Sequence, residues 1–329
     1  MWFENLTGFN EQSPEQVRAN LVVTGSTMTS KVNGNSWNCG LLETPTLAEL
    51  RSRVLECNIS PAPLRLGEVI GDAKSLHTDP RNSGVLFQVA SQFNLLEMPG
   101  PGVTPEDGVG GYEGDITQGP ACAVAAGAGT IYRNYFADVN GQTGQSSSNQ
   151  IDCLKGIGDA LGNHDGRLWE MKNGYALATE AGLIEISSRV NSMSEDERDE
   201  LRQALQIGIH WDTQVTINDC NHLVSQAYCS ALPVGYSRLP AVMWKEFAQL
   251  VLEASYEATL CAGLLNSART GNNSVFLTLV GGGVFGNDTG WILSAIRRAT
   301  GLFANSGLDV SVVSYGRSNP LVRELIASI

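Results

Sequence analysis

Basic residues are scarce in this 329-residue sequence: 21 Lys and Arg stand against 34 Asp and Glu, for a formal net charge of −13. That balance argues against a nucleic-acid partner or an anionic membrane held by bulk attraction, since both are gripped through clustered cations. No apolar stretch approaches the roughly 20 residues of a membrane-spanning helix. The start, Met1 to Leu6, lacks the basic region and apolar core of a signal peptide. Cysteines number seven and are scattered without a Cys-x-x-Cys, which suits a reducing compartment better than a disulfide framework. A cytoplasmic protein is therefore expected. Histidines are few as well, at positions 77, 164, 210 and 222, with no metal-ligand spacing, so no metal is expected. Self-similarity at a period of 20–50 residues is missing, which excludes a solenoid. Charged residues make up only 17% against 42% hydrophobic, a globular composition with ample core.

Glycine, by contrast, is concentrated where it can matter. Ser274 to Val280 holds an apolar run rich in β-branched residues, which reads as a strand buried on both faces. Gly281, Gly282 and Gly283 follow, then Val284, Phe285, Gly286 and Asn287, then a helix with Ile292, Ala295 and Ile296 on one side. Strand, glycine loop and helix start together aim backbone N–H groups and a positive helix end at a phosphate. No Lys-Ser/Thr follows, so the loop is not a Walker A motif. Gly281, Gly283 and Gly286 match G-x-G-x-x-G spacing but lie too near the end of the sequence for a dinucleotide fold. A plain tight turn is the competing reading.

Taken in order, the first ~20 residues read as a polar lead-in with a short helix from Pro14. Leu21 to Ser30 and Val32 to Leu42 read as an irregular strand pair. Thr46 to Glu49 is a capping box that opens a helix running to about Cys57. Leu64 to Ile70 and Val85 to Ala90 have strand length and composition. Beyond the second of these come Ser91, Gln92 and Asn94, then Glu97, then a glycine-rich loop from Pro99 to Gly114 carrying Glu106, Asp107 and Glu113. Asp115 stands at its exit and Gln118 at the start of an alanine-rich helix, with Thr117 as cap and Pro120 in the first turn. A connection of that length is usually functional or mobile.

Asn140 to Gln150 is a polar, low-complexity loop expected to be mobile, and Ile151 to Ile207 reads as mostly helical, with a capping box at Ser194 to Glu197. Val215 to Ile217 and His222 to Ser230 read as strands. Trp244 to Leu265 is an amphipathic helix. On it Glu253 and Glu257 share a face, where a solvated flank is the simpler reading. The final strand, Leu308 to Ser314, delivers Tyr315 to the edge where the glycine loop must lie if the two strands are parallel neighbours.

Three segments together resemble a macrodomain, the family that binds ADP-ribose. They are Gln92 to Glu97, Tyr112 to Pro120 with Asp115 inside it, and Leu279 to Asn287. The set is most similar to the divergent, MavL-like branch, associated with hydrolysis of ADP-ribosyl-arginine, ADP-ribosylated ubiquitin included. The Asn-Ala-Ala-Asn run of ordinary macrodomains is absent, as is the Gly-Gly-Gly…Gln-Glu-Glu signature of poly-ADP-ribose glycohydrolases.

The resemblance implies a three-layer α/β/α macrodomain-like sandwich with a mixed central sheet over residues 64–329, a helical insertion at about 140–210 and an N-terminal extension, 1–63, packed on the domain. It implies ADP-ribose as ligand, a mono-ADP-ribosylated protein such as ubiquitin as partner, and no cofactor. Asp107, Asp115 and Glu106 are then the catalytic candidates. Gln92, Asn94, Glu97, Gln118, residues Gly281 to Asn287 and Tyr315 would line the ligand. A non-catalytic ADP-ribose reader and a nucleotide-sugar or NAD-metabolising enzyme are the alternatives.

Overall fold

The computed structural model describes residues 1–57 and 60–329. At its centre is a seven-stranded sheet. Its strands are β1 (Leu41–Glu43), β2 (Arg65–Ile70), β3 (Leu86–Ala90), β4 (Gly208–Gln214), β5 (Leu223–Cys229), β6 (Ser274–Leu277) and β7 (Asp309–Ser314), in spatial order β1-β4-β5-β3-β6-β7-β2. β5, β3, β6, β7 and β2 run parallel, whereas β4 is antiparallel to both its neighbours, so the sheet is mixed. The carboxyl ends of the five parallel strands share one edge. Ligands of open α/β sheets bind outside such an edge.

Strand pleat assigns the two faces. Gln88 donates to Thr259 at 2.8 Å and Cys229 meets the same hydroxyl at 3.4 Å, so these residues face α6 (Lys245–Thr270). Gln226, one pleat away, donates to the carbonyl of Cys122 on the other face, covered by α2 (Gln118–Ala125) and α3 (Gly127–Tyr135). The expected single alanine-rich helix is thus two, broken at Ala126, whose φ and ψ of −111° and 56° are not helical. Helices α1 (Leu47–Leu55), α4 (Glu180–Ser192), α5 (Glu195–Gln203) and α7 (Thr289–Leu302) pack on α6.

Glu253 and Glu257 are not a solvated flank. Glu257 is 3% exposed and receives Arg51 at 2.5 Å and Arg298 at 2.6 Å, while Glu253 receives Arg202 at 2.8 Å. Repulsion between like charges one helical turn apart costs only a few tenths of a kcal/mol. Charge-assisted pairing with arginines from α1, α5 and α7 outweighs it and ties those helices to α6.

Three further expectations change. Trp2–Thr7 is a helix, and Trp2, Phe3 and Phe9 join Leu96, Met98, Val109, Tyr112 and Tyr135 in a hydrophobic cluster of their own, so the lead-in is packed rather than polar. Segment 140–150 is tied by its own bonds, with Gln145 donating to the carbonyls of Asn94 at 2.9 Å and Arg133 at 3.2 Å. Inside the helical insertion sits a hairpin, Trp169–Lys172 with Tyr175–Ala178.

Candidate functional site

β6 ends at Leu277, earlier than the apolar run suggests, because its ladder with β3 covers only Val275 opposite Leu86 and Phe276 opposite Phe87. Beyond that the two strands part, and glutamine side chains replace the missing ladder. Gln118 accepts from the Ala90 amide at 2.9 Å and donates to the Gln88 carbonyl at 2.9 Å, and Gln88 accepts from Thr278 at 3.2 Å. Gln118, a ligand candidate, is therefore bonded to the sheet. Tyr256 closes the same region from α6, donating to the Thr278 carbonyl at 2.7 Å and accepting from Val280 at 3.0 Å.

The glycine loop is held by its own backbone. Asn287 donates to the carbonyl of Gly281 at 3.0 Å, Gly286 to that of Gly283 at 3.0 Å, and Gly282 to that of Leu279 at 3.0 Å. Gly281 needs to be glycine: its φ is 78°, and a Cβ there would lie 2.4 Å from the Ala231 side chain. Gly283, by contrast, faces open space. The amides of Gly283, Val284 and Phe285 make no hydrogen bond among the described residues, and Gly282, Gly283 and Val284 are exposed. Free amides at an exposed tip suit an anion, whereas the start of α7 is already capped by the Asp288 carboxylate, which accepts from the Gly290 amide at 2.8 Å. Asn287 holds the loop to the neighbouring turn, donating to Leu232 at 2.8 Å, and its own Oδ1 is buried without a partner among the described residues. At the end of the adjacent strand β7, Tyr315 is 75% exposed.

Phe285 turns inward onto Tyr175 and Tyr236, with ring centroids 5.4 and 5.5 Å away and the two tyrosines 5.0 Å apart. Neither tyrosine was legible as a site residue in the sequence, since Tyr175 comes from the hairpin in the insertion and Tyr236 from the turn after β5. Burial raises the Tyr175 phenol well above its ordinary pKa, and Tyr236 and the Asp115 carboxylate add to the rise. Asp115 lies at the exit of the long loop, just before α2. Asp115 accepts from the Thr117 amide at 2.8 Å and hydroxyl at 2.7 Å through one oxygen, Oδ1, and is half-buried. Thr117 precedes α2 in the cap position, yet its hydroxyl serves Asp115 and makes no cap bond.

The other acids have different commitments. Asp107 is exposed and accepts from the Thr104 amide at 2.8 Å and hydroxyl at 3.0 Å, closing a capping box on the turn Pro105–Asp107. Glu106 receives the Ser147 amide at 2.8 Å and hydroxyl at 3.1 Å, latching the long loop to segment 140–150. Glu97 is 3% exposed and faces Arg133 at 3.3 Å. Burial pushes its pKa up to about 7 in spite of that partner. Gln92 braces its own turn, accepting from Met98 at 2.7 Å, while Asn94 donates to Gln150 at 2.8 Å. Both crowd Gly174, where a Cβ would come within 2.6 Å of each. Each side chain proposed at the end of β3, Gln92, Asn94 and Glu97, is thus buried with a partner inside the protein.

Beneath them runs a buried polar chain. Arg133, fully buried, donates to Leu95, Thr130 and Tyr228, and its guanidinium lies 3.8 Å over the Tyr228 ring. Tyr228 donates to Gln226, and Gln226 donates to His77 Nε2 at 3.0 Å. His77 Nδ1 gives its proton to the Ala73 carbonyl at 2.7 Å, which sets a neutral tautomer. Burial depresses the His77 pKa to about 4. Two surface hollows, of about 450 Å³ beside Glu43 and Arg53 and about 350 Å³ beside Leu302 and Asn305, contain none of the candidate residues.

Neither models of known families nor curated proteins match this chain. Solved structures similar in overall course include the poly(ADP-ribose) glycohydrolase from Thermomonospora curvata, 14% identical, covering 95% of this chain and 95% of that one at a TM-score of 0.47. Its complex with the inhibitor ADP-HPD is also 14% identical over 95% of each chain, at a TM-score of 0.44. The poly(ADP-ribose) glycohydrolase from Deinococcus radiodurans in complex with ADP-ribose is 11% identical, covering 86% of this chain and 90% of that one, at 0.42. At these identities and TM-scores no residue role passes from those proteins to this chain.

Proposed function

We propose that the protein binds ADP-ribose at the carboxyl edge of the sheet and hydrolyses the bond joining it to a protein side chain. The observation that carries this reading is the set of amides at Gly283, Val284 and Phe285, which make no hydrogen bond among the described residues and lie beyond the carboxyl end of β6. The diphosphate rests on those amides, and adenine stacks on exposed Tyr315. The distal ribose then extends over the Tyr175, Tyr236 and Phe285 cluster towards Asp115. Binding energy from the diphosphate fixes the remote, reacting end of the ligand.

Cleavage breaks the bond between C1″ of that ribose and the leaving atom, through an oxocarbenium-like state. Water supplies hydroxide to C1″ and a proton to the leaving group. Asp115 orients that water or holds the ribose hydroxyls through Oδ2, since Oδ1 is taken by Thr117. The leaving group we favour is the guanidine of arginine, because its positive charge suits an edge whose loop is acidic. The MavL-like resemblance supports the same linkage and ubiquitin as one carrier.

One observation favours a second reading, a reader without turnover. Glycoside hydrolysis ordinarily employs two carboxylates, and Asp107, Glu106 and Glu97 are each bonded elsewhere. Calorimetry with ADP-ribose, followed by assays of ADP-ribose release from arginine- and glutamate-linked proteins, separates the readings. Binding with release from the arginine linkage is expected. Binding without release from either makes the protein a reader, and no binding removes both readings.

A further inference from the structure

The long acidic loop is gripped by the first residues of the chain. Glu11 accepts the Val109 amide through Oε1 at 3.0 Å and the Gly110 amide through Oε2 at 2.6 Å. Tyr135 of α3 donates to Oε1 at 2.6 Å. Two successive amides converging on one carboxylate is the geometry of a backbone anion nest, filled here from within the chain. The glycines of the loop now have a reason. Gly108 has a φ of 85°, and a Cβ on it or on Gly110 would come within 2.6 or 2.8 Å of the Glu11 carboxylate. Trp2 adds a second grip, its amide donating to Glu113 at 2.7 Å and its indole to the Val109 carbonyl at 3.3 Å.

The gripped segment leads directly to Asp115. Gly110–Gly114 is a single tight turn, and the Asp115 amide donates to the Tyr112 carbonyl at 3.2 Å. Tyr112 is buried, with its hydroxyl accepting from the Glu97 amide at 3.1 Å. Both ends of the turn are therefore fixed by the N-terminal segment, two residues short of the proposed catalytic carboxylate.

We propose that Glu11 is a positioning residue: it sets the turn 109–114 and so holds Asp115 at the reacting end of the ligand. The proposal rests on the hydrolase reading above. Glu11 touches no ligand, and its effect passes through the backbone. It belongs to turnover rather than affinity, because the amides that take the diphosphate lie on a different loop.

The test compares wild type with Glu11→Ala and the near-isosteric Glu11→Gln. Amide hydrogen exchange over residues 109–115 and ADP-ribose release from an arginine-linked protein are measured on each, with ADP-ribose affinity alongside. Glu11→Ala is expected to exchange at least about tenfold faster over 109–115 while β3 and β5 stay protected, and to lose at least about tenfold in kcat at unchanged ADP-ribose affinity. Glu11→Gln keeps the Oε1 bonds and should fall between the two; it serves as the informative variant if Glu11→Ala fails to fold. Unchanged exchange over 109–115 overturns the proposal whatever the activity. Faster exchange with wild-type kcat overturns it too, since Asp115 would not need the grip. A wild type that binds ADP-ribose but releases none overturns the hydrolase reading, and with it the claim that Glu11 serves turnover; faster exchange in that case supports only the loop grip.

Discussion

At the level of single side chains, the acidic loop separates into parts that a sequence treats alike. Asp107 and Asp115 stand eight residues apart in similar surroundings, yet the first closes a turn and the second is half-buried with one carboxylate oxygen, Oδ2, uncommitted among the described residues. Asp115→Asn should therefore leave ADP-ribose affinity within about tenfold, ~1.4 kcal/mol, and cut turnover at least a hundredfold, about the low end for an acid–base group. Asp107→Asn should leave turnover within about threefold and cost ~0.5–1 kcal/mol of stability, as loss of a cap does. Steady-state kinetics and urea denaturation of both variants decide this; a turnover loss confined to Asp107→Asn reverses the assignment. The sequence could not make this distinction. Thr104 and Ser147 hold Asp107 and Glu106, and the second lies 41 residues away. Asn94 likewise has a partner set by distant packing, Gln150, whereas Gln92 bonds Met98 within its own turn.

Among elements, those with a local cause were legible. β6, its glycine loop and α7 are contiguous, and so are β7 and Tyr315, so parallel pairing alone brings loop and aromatic together. Tyr315→Ala should weaken ADP-ribose and AMP by about 1–3 kcal/mol, as loss of one base–aromatic stack does. Ribose 5-phosphate should bind as before. Titration of the three ligands checks this, and equal weakening of all three would make the residue structural. β4 went unread because Gly208 to Gln214 mixes Asp212 and Thr213 into the run, with a bulge between His210 and Thr213. The hairpin bearing Tyr175 was hidden inside a segment of helical composition. Its signal was the turn-forming Asn173 and Gly174, both with positive φ.

Over the whole molecule, burial of histidine ties stability to pH. His77 is neutral in the fold and charged when unfolded below its ordinary value of 6.5, because burial depresses its pKa to about 4. Between those limits the unfolded state binds the extra proton, so stability is lost as pH falls, by ~1.4 kcal/mol per pH unit for this one group. Fully buried His210, depressed to about 3, acts in the same sense. Glu97 acts oppositely: raised to about 7, it is protonated in the fold first, and its contribution is lost as pH rises through 7. His77→Gln should remove ~1.4 kcal/mol per unit from the slope of stability between pH 4.5 and 6.5, read from urea midpoints. An unchanged slope would mean the ring is charged in the fold.

Binding and turnover both depend on the amides of the glycine loop receiving the diphosphate. Gly283 is the place to challenge it, because a side chain there meets nothing within 4 Å and the fold has no reason to change. The measurement is calorimetric titration of ADP-ribose into wild type and Gly283→Glu, with circular dichroism confirming that both are folded. Wild type should bind saturably, and binding should weaken at least a hundredfold, about 2.7 kcal/mol, once a carboxylate stands among the amides. Equal affinity in the two folded proteins would contradict it and leave the loop as a turn between strand and helix.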